Sequence, residues 1–414
     1  CFEVCLKMAA HLICLTSGGG VPIFTRNKGN LKPLPFPVIG SLNGVHMFAN
    51  SHDVKLLSTT TEDAKVVWKV FHDSITLIIV TRDDEADNIH LNNLLTLVCD
   101  AMVLLYGLED LANIKNIERF KREIKVCSQL VDRILDQADL LTVGDLTNAV
   151  DILAAPENSV LQNYLDAFTE AADSPFGCLM VHGKVAIATK RWWALTSKEM
   201  VLLSLLMSSL SPCSSRDIPV FLPNLSPSVP HRLLTFQLIK NIEVCVLCGP
   251  SPTLAQLEEE VGRFWRSGYD LLRSLIQLHP RNYPLSITLD SNILGFILVN
   301  QESHRCLCST HPHPVISSKG TINSKRRLEI LRSFYKHVMG TFFSMTADPE
   351  KGQDEIFHQA QESYISTDSH KCYTILSEPH QIFVLYTANI PTFAMRSVTQ
   401  KTLSLLIKDK HVQI

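Results

Sequence analysis

The sequence has little net charge and no long uninterrupted apolar run. Its 38 basic and 41 acidic residues leave a formal net charge of −3, and only 19% of the residues are charged. Nucleic-acid binding normally requires a clear basic excess, so this composition argues against it. A membrane span needs about 18 consecutive apolar residues. The longest apolar stretches, 94–108 and 201–210, are interrupted by Asp100 or are too short. We therefore expect a soluble chain whose membrane contact is peripheral at most.

Signals for secretion are also lacking. The apolar run from Met8 to Leu15 has no basic cluster before it and no small-residue cleavage site after it, so we expect no signal peptide. Twelve cysteines are spread through the chain, mostly inside hydrophobic segments such as Ile13–Leu15. This distribution is typical of reduced core cysteines and not of a disulfide framework. We expect an intracellular protein.

The chain does contain a repeated order of elements. It has 414 residues, of which 46% are hydrophobic, enough for two to four packed units. Alternating β-branched runs and helical spacing predict a hairpin, a helix, three strands and further helices, and this order recurs three times. The first copy is predicted to have strands at 11–17, 21–27, 53–59, 65–71 and 74–80, and helices at 36–48, 88–106 and 116–137.

The second and third copies follow the same order. Capping-box pairs, Thr196 with Glu199 and Thr253 with Gln256, predict two helix starts in the second copy. Its predicted strands are 176–183, 184–190, 218–222, 231–239 and 243–249, and its helices end near 210 and 279. The third copy has predicted strands at 293–300, 305–310, 372–377 and 382–388, a poorly marked strand within 356–366, and helices at 324–343 and 393–407.

These copies are long enough to be separate domains. We place the boundaries at 8–140, 157–282 and 290–414, with exposed loops at 311–323 and 347–354. Several strands are apolar at successive positions, for example 293–298, and such runs indicate burial on both faces. The predicted fold class is therefore α/β (α+β), with each five-stranded sheet covered by helices on both sides.

Local patterns that suggest catalysis have simpler explanations. The glycines at 18–20 join two strands and lack the following Lys and Ser/Thr of a phosphate loop. His72, Asp73 and Ser74 are consecutive, so they cannot converge as a hydrolase triad, and we interpret them as a turn. Cys245 and Cys248 lie three apart on a predicted strand and should face opposite sides. We assign no catalytic residue and no cofactor.

Three further clusters have both a functional and a packing interpretation. His304, Cys306 and Cys308 share one strand face and could hold zinc, but buried cysteines often only fill a core, and we favour the latter. Trp192 and Trp193 could recognise a ligand, although closure of the core is the simpler interpretation. A third set lies along one face of the 324–343 helix and could contact anionic lipid or simply be solvated: Lys325, Arg332 and Lys336.

The sequence resembles the Fuzzy family of planar-cell-polarity effector proteins. The segments that carry the resemblance are 11–15, 34–48, 66–78, 101–121, Trp192 with Trp193, and 229–257. It spans most of the chain, is strongest before Glu123 and is weak after Cys308. Residues before Met8 have no counterpart in the family, so we expect Met8 to be the true start.

The resemblance implies three longin domains, each a five-stranded antiparallel sheet between helices. It also implies similarity to the longin-based Rab exchange factors, in which two subunits pair through their first longin domains and present a joint platform to a small GTPase. The expected partners are Inturned, Fritz, a Rab-type GTPase and intraflagellar transport proteins. The expected role is ciliogenesis and membrane traffic to the cilium, from the cytoplasm, the cytoskeleton and the basal body.

Exchange requires a surface and no covalent chemistry, so exposed polar and aromatic groups of the first domain are the candidates. We expect Ser41, Asn43 and His46 to contact the partner or the GTPase, because Gly40 and Gly44 allow close backbone approach on the same helix. Trp68 and His72, on the next hairpin, are additional candidates. In the alternative interpretation, Trp68 and Phe71 fill the core and Asn43 caps the helix. A structural scaffold without exchange activity is the competing function.

Overall fold

The computed structural model describes residues 9–29, 31–82, 88–136, 142–313, 322–343 and 360–414. Met8, the end of the helix predicted at 116–137 and most of the two predicted third-domain loops lie outside these residues. Three sheets of mostly antiparallel strands organise the described chain, and each has helices on its faces. The predicted α/β class and threefold repeat are confirmed.

The first domain contains a five-stranded sheet in the order β2-β1-β5-β4-β3. Its strands are β1 Ala10–Thr16, β2 Pro22–Lys28, β3 Ser58–Thr60, β4 Lys65–Phe71 and β5 Ile75–Thr81. Its helices are α1 Phe36–Ser51, α2 Asn88–Tyr106, α3 Leu108–Ala112, α4 Ile117–Glu123 and α5 Ser128–Leu135. The single helix predicted from 116 is wrong, because a 3₁₀ turn at 124–127 separates α4 from α5.

The second domain repeats this arrangement, with sheet order β8-β7-β11-β10-β9. A connecting segment before it contains α6 Gly144–Thr147 and β6 Val150–Asp151. The strands are β7 Gly177–Val181, β8 Lys184–Ala188, β9 Ser215–Leu222, β10 Ser226–Ile239 and β11 Ile242–Cys248. The helices are α7 Asn158–Ala171, α8 Ser197–Ser209, α9 Leu254–Trp265 and α10 Tyr269–Leu278. Both predicted capping boxes are confirmed, whereas α7 was not predicted and a 3₁₀ turn at 266–268 divides the predicted helix to 279.

The third domain has a six-stranded sheet, ordered β14-β15-β16-β12-β13-β6. Its strands are β12 Ile293–Asn300, β13 Arg305–Ser309, β14 Glu362–Ser366, β15 His370–Ser377 and β16 His380–Thr387, and its helices are α11 Ser324–Val338 and α12 Thr392–Lys408. Five strands follow the order of the other two sheets. The expected five-stranded sheet is extended by β6, which pairs in parallel with β13.

The long helix α2 lies between the first and second sheets. It contacts β4 and β5 on one side and β9 and α8 on the other, and its apolar side chains belong to one core cluster shared by the two domains. By length and composition α2 could cross a membrane, despite Asp100. In this fold its apolar surface is instead covered by two sheets, which explains why it is apolar on nearly all sides.

The connecting segment is held by two buried ion pairs. Asp151 accepts hydrogen bonds from the backbone N–H groups of Val143 and Gly144, and its Oδ1 lies 3.1 Å from Nζ of Lys184 on β8. Asp145 forms the second pair with Arg332 of α11, whose other partner is the carbonyl oxygen of Thr142 at 2.9 Å. The segment therefore fixes the third domain to the second.

Candidate docking surface on the first domain

Helix α1 covers one face of the first sheet through a narrow stripe. It begins after Pro35, and Pro37 occupies its first turn, where a missing N–H costs little. Ile39 and His46 are the buried residues of the helix, and Leu42 is half-buried. The core beneath the helix is small and consists of Ile13, Leu15, Ile39, Val66, Trp68 and Ile78. Most of the helix surface consequently faces outward.

The outward surface of α1 is apolar and uncharged. Residues 36–51 contain no Asp, Glu, Lys or Arg. A surface helix usually presents charged side chains to water, and exposed apolar patches mark interaction sites. Phe36 is 71% exposed and Phe48 is 66% exposed. We call the exposed apolar set the α1 face: Phe36, Val38, Val45, Met47 and Phe48, continued by Val54 and Leu57 after the helix.

Two glycines lie in the middle of the α1 face. At about 100° per residue, Gly40 and Gly44 fall between Phe36 and Met47 on one side and Phe48 on the other. A β-carbon placed on either glycine would have no heavy atom within 4 Å. The face is therefore a shallow groove with an exposed backbone floor and apolar edges. Such a groove allows another helix to approach closely.

The predicted contact residues divide into exposed and buried groups. Ser41 is exposed on α1, and its hydroxyl donates to the carbonyl oxygen of Pro37 at 2.9 Å. His72 is exposed in the β4–β5 turn, at a φ of 52°. These two side chains are accessible to a partner. The turn predicted at His72 is confirmed.

The expected exposure of His46 and Trp68 is wrong. Trp68 is 3% exposed, and its indole N–H donates to the carbonyl oxygen of Leu42 at 3.2 Å. This contact anchors α1 to the sheet, as the packing interpretation predicted. His46 is 7% exposed, and burial lowers the pKa of its imidazole, which favours the neutral form at neutral pH.

Asn43 is half-buried and lies against the β1–β2 turn. Its Nδ2 atom lies 3.2 Å from Sδ of Met47, and its side chain covers Gly20 so closely that a β-carbon there would lie 2.0 Å from Nδ2. Asn43 therefore fixes α1 to the turn and does not cap the helix. The exposure of Phe48 and Val45 was not predicted from the sequence. The absence of charged residues from 36–51 could have indicated an interaction surface.

The other sequence candidates do not assemble into sites. His304 is exposed in a turn, whereas Cys306 and Cys308 are buried in the third core, and burial raises the pKa of Cys308 to about 12. The two cysteines pack in that core, as the packing interpretation predicted. No group of three or more His, Cys, Asp or Glu side chains suited to a metal ion occurs in the described part of the chain. Cys245 and Cys248 belong to the cores on opposite sides of the second sheet, as predicted.

The basic residues of α11 do not form one exposed face. Lys325 is exposed and Lys336 is half-buried, but the Arg332 side chain is 7% exposed and is paired with Asp145. For Arg332 both the lipid-facing and the solvated interpretation are wrong, because its guanidinium is buried and pairs with Asp145 inside the protein.

The two tryptophans after β8 serve the core. Trp192 is fully buried in the core shared by the first two domains, which confirms the packing interpretation. Trp193 is half-buried, and the guanidinium of Arg305 lies 4.0 Å from the centre of its ring. This stacking joins the second domain to the third, so these side chains are not a free recognition patch.

Comparisons with known proteins agree with this architecture. Family models described as the first, second and third longin domains of FUZ, MON1 and HPS1 match residues 10–134, 172–266 and 292–410. A "Protein fuzzy homolog" of Xenopus tropicalis is 45% identical over 413 residues, covering 97% of this chain and 98% of the relative. Those of Homo sapiens and Mus musculus are 42% and 40% identical, each covering 96% of this chain and 97% of the relative. The three-domain repeat and these similarities together show that the chain belongs to the Fuzzy family of triple-longin proteins.

Proposed function

We propose that this chain is a non-catalytic planar-cell-polarity effector that acts in cilium biogenesis. It pairs with Inturned, together with Fritz, binds a Rab-type small GTPase and supports recruitment of intraflagellar transport proteins and membrane traffic to the cilium. It works in the cytoplasm and cytoskeleton, at the ciliary basal body. The family membership supports the general role, and the α1 face is the observation that carries the docking mechanism.

The α1 face suits the pairing of two longin domains. A partner helix seated over Gly40 and Gly44 would bury Phe36 and Phe48 and would meet no charge along residues 36–51. Interface centres are depleted in charged residues and enriched in aromatic ones. Ser41 is exposed on α1 and His72 is exposed in the β4–β5 turn, so both remain proposed contacts to the partner or the GTPase. His46 and Trp68 support the helix from below.

Nucleotide exchange by such a platform follows from differential affinity. A surface that binds the nucleotide-free GTPase more tightly than the loaded form shifts the equilibrium toward nucleotide release. This requires shape and charge complementarity and no bond formation by the protein. The role of this chain is to complete the platform.

The test measures release of labelled GDP from candidate Rab-type GTPases, with this chain alone and with Inturned. We expect acceleration only with the complex.

Gly44→Gln should weaken Inturned binding about tenfold or more, since overpacking a close contact costs about 1–3 kcal/mol. The matched control is Gly262→Gln on α9, where a β-carbon also has open space. Both variants should fold normally, because Gln is the better helix former by about half a kcal/mol.

The possible outcomes separate the two functions. Inturned binding that is weakened only by Gly44→Gln, but without faster GDP release, would support the scaffold alternative. Equal Inturned binding by the two glycine variants would refute the α1 face as the docking surface.

A further inference from the structure

A cavity of about 550 Å³ lies where the first and second domains meet. Its wall combines Arg133 of α5, Thr142 of the connecting segment and side chains from the second domain. Small-molecule sites typically have volumes of about 300–1,000 Å³ and often occur at domain boundaries. This cavity is therefore large enough for a ligand and lies where one would be expected.

Two cationic side chains, Arg133 and Lys240, line the cavity. Nε of Arg133 is buried and has no hydrogen-bond partner in the part of the chain that the structure describes. Within the described residues, neither Arg133 nor Lys240 takes part in an ion pair. Leaving a buried guanidinium N–H unsatisfied is unfavourable, and guanidinium groups bind carboxylate and phosphate oxygens well. An anion bound in the cavity would provide the missing hydrogen-bond and charge partner.

The acidic group of the wall is already engaged. Glu243 lies 3.6 Å from Arg216, measured between Oε1 and Nη1, and it is the acidic residue among the described lining residues. Burial also raises the pKa of the Glu243 carboxyl, and Arg216 opposes this shift. His182 contributes no positive charge near neutral pH, because burial and Lys184 lower its pKa. Arg133 and Lys240 thus determine the charge that the cavity prefers.

The rest of the wall has a polar and an apolar part. The polar side chains are Thr142, His182, Ser208, Gln237 and Asn241. Met180 of β7 and Met207 of α8 are both buried, and Leu210 and Pro212 continue the surface beyond α8. Methionine side chains adapt to flexible apolar groups. A ligand with an anionic head and an apolar body would fit both the cationic and the apolar part of this wall.

We propose that this cavity binds a small amphipathic anion, with its carboxylate or phosphate head on Arg133 and Lys240 and its alkyl chain against Met180 and Met207. Arg133 belongs to the first domain and Lys240 to the second. A bound anion therefore joins the two domains at a place separate from the α1 face, and its binding does not depend on the proposed docking function.

Methyl NMR of the full chain labelled at its methionine methyl groups tests this assignment. Octanoate and octyl phosphate are the probes, and they distinguish a carboxylate from a phosphate head. Two control compounds each lack one feature: inorganic phosphate has the anionic group without an alkyl chain, and 1-octanol has the alkyl chain without a charge. We expect saturable shifts of the Met180 and Met207 methyl signals with at least one amphipathic anion. Met395, buried in the third domain, should not shift.

Matched arginine variants locate the headgroup. Arg133→Met should weaken binding about tenfold or more, as expected for loss of a charged hydrogen bond. Arg122→Met, at an exposed position on α4, should leave binding unchanged. Lys240→Met, also at an exposed position, should weaken binding too and serves as the second test if Arg133→Met does not fold.

Three results would overturn the proposal. The first is absence of saturable shifts with both octanoate and octyl phosphate. The second is binding of 1-octanol or inorganic phosphate as tight as that of the amphipathic anions. The third is equal binding by the Arg133→Met and Arg122→Met variants or, if Arg133→Met is unfolded, unchanged binding by Lys240→Met.

Discussion

The connecting segment gives the sharpest stability prediction. Arg332→Met removes the guanidinium that pairs with Asp145, whose side chain is fully buried, and leaves that carboxylate without its ionic partner. Breaking a buried ion pair from one side costs about 3–5 kcal/mol. Lys184→Met should cost less, because Asp151 keeps two backbone N–H donors at 2.8–2.9 Å.

The expected signal is local opening of the segment. The N–H groups of Val150 and Ile152 donate to the carbonyl oxygens of His304 and Cys306, both at 2.8 Å. If Arg332 holds this pairing, a loss of about 3 kcal/mol speeds exchange of these amides by about a hundredfold at 1.36 kcal/mol per factor of ten. Hydrogen exchange with mass spectrometry of peptides covering 143–152 measures this directly.

Two further variants make the experiment decisive. Arg396→Met breaks an exposed pair with Glu362 and should change stability by at most about 1 kcal/mol. Adding Asp145→Asn to Arg332→Met removes the stranded charge and should restore part of the protection. Our reasoning is refuted if Arg332→Met alters exchange in 143–152 no more than Arg396→Met does.

Three other predictions concern the cores and the turns. Leu104→Ala, at a fully buried position of α2, should lower the free energy of unfolding by about 2–5 kcal/mol in urea denaturation, whereas Leu405→Ala on the surface of α12 should cost far less. Gly20→Ala should be destabilising because φ is +62° and the new β-carbon meets Asn43. Adding Asn43→Ala should relieve the clash but not the backbone strain. If the changes in unfolding free energy of the two single variants simply add in the double variant, the contact is disproved. Burial and the neighbouring His182 lower the pKa of His279 to about 4. The imidazole is therefore protonated at higher pH in the unfolded chain than in the folded one, and the free energy of unfolding should fall as the pH drops from 6.5 toward 4. His279→Gln should flatten this dependence, and an unchanged slope in pH-dependent unfolding would contradict the prediction.

The repeated sheets could be predicted from sequence because their strands are buried on both faces. Runs such as 293–298 and 75–79 then contain apolar residues at nearly every position, and turns such as His72–Ser74 separate them. The capping boxes could be predicted from sequence for a similar reason. Thr196 and Glu199 satisfy backbone groups within one helical turn, so their role does not depend on distant residues.

The candidate docking surface was only partly predictable. The spacing of Phe36, Ile39, Leu42 and Val45 fits a helix, but spacing does not reveal which of two apolar stripes meets the sheet. The structure places Ile39 and Leu42 inward and Phe36 and Val45 outward. That choice is made by tertiary contacts, among them the bond from Trp68 to the Leu42 carbonyl.

Long-range contacts also explain the other differences. The short strand β6 has two residues, and it exists because β13 supplies a partner more than 150 positions later. The buried role of Arg332 depends on Asp145 in the same way. Local sequence patterns contain no information about such pairings.

The position of α2 between two sheets affects how the chain must be synthesised. Its second cover, β9, begins about 110 residues after α2 ends. At about 5–20 residues per second, a ribosome needs about 5–20 s to produce that strand. During this interval one apolar face of α2 is exposed to solvent on the nascent chain, and chaperones bind such surfaces. A transcript truncated between the two sheets would leave this side uncovered permanently, and its product should aggregate or be degraded.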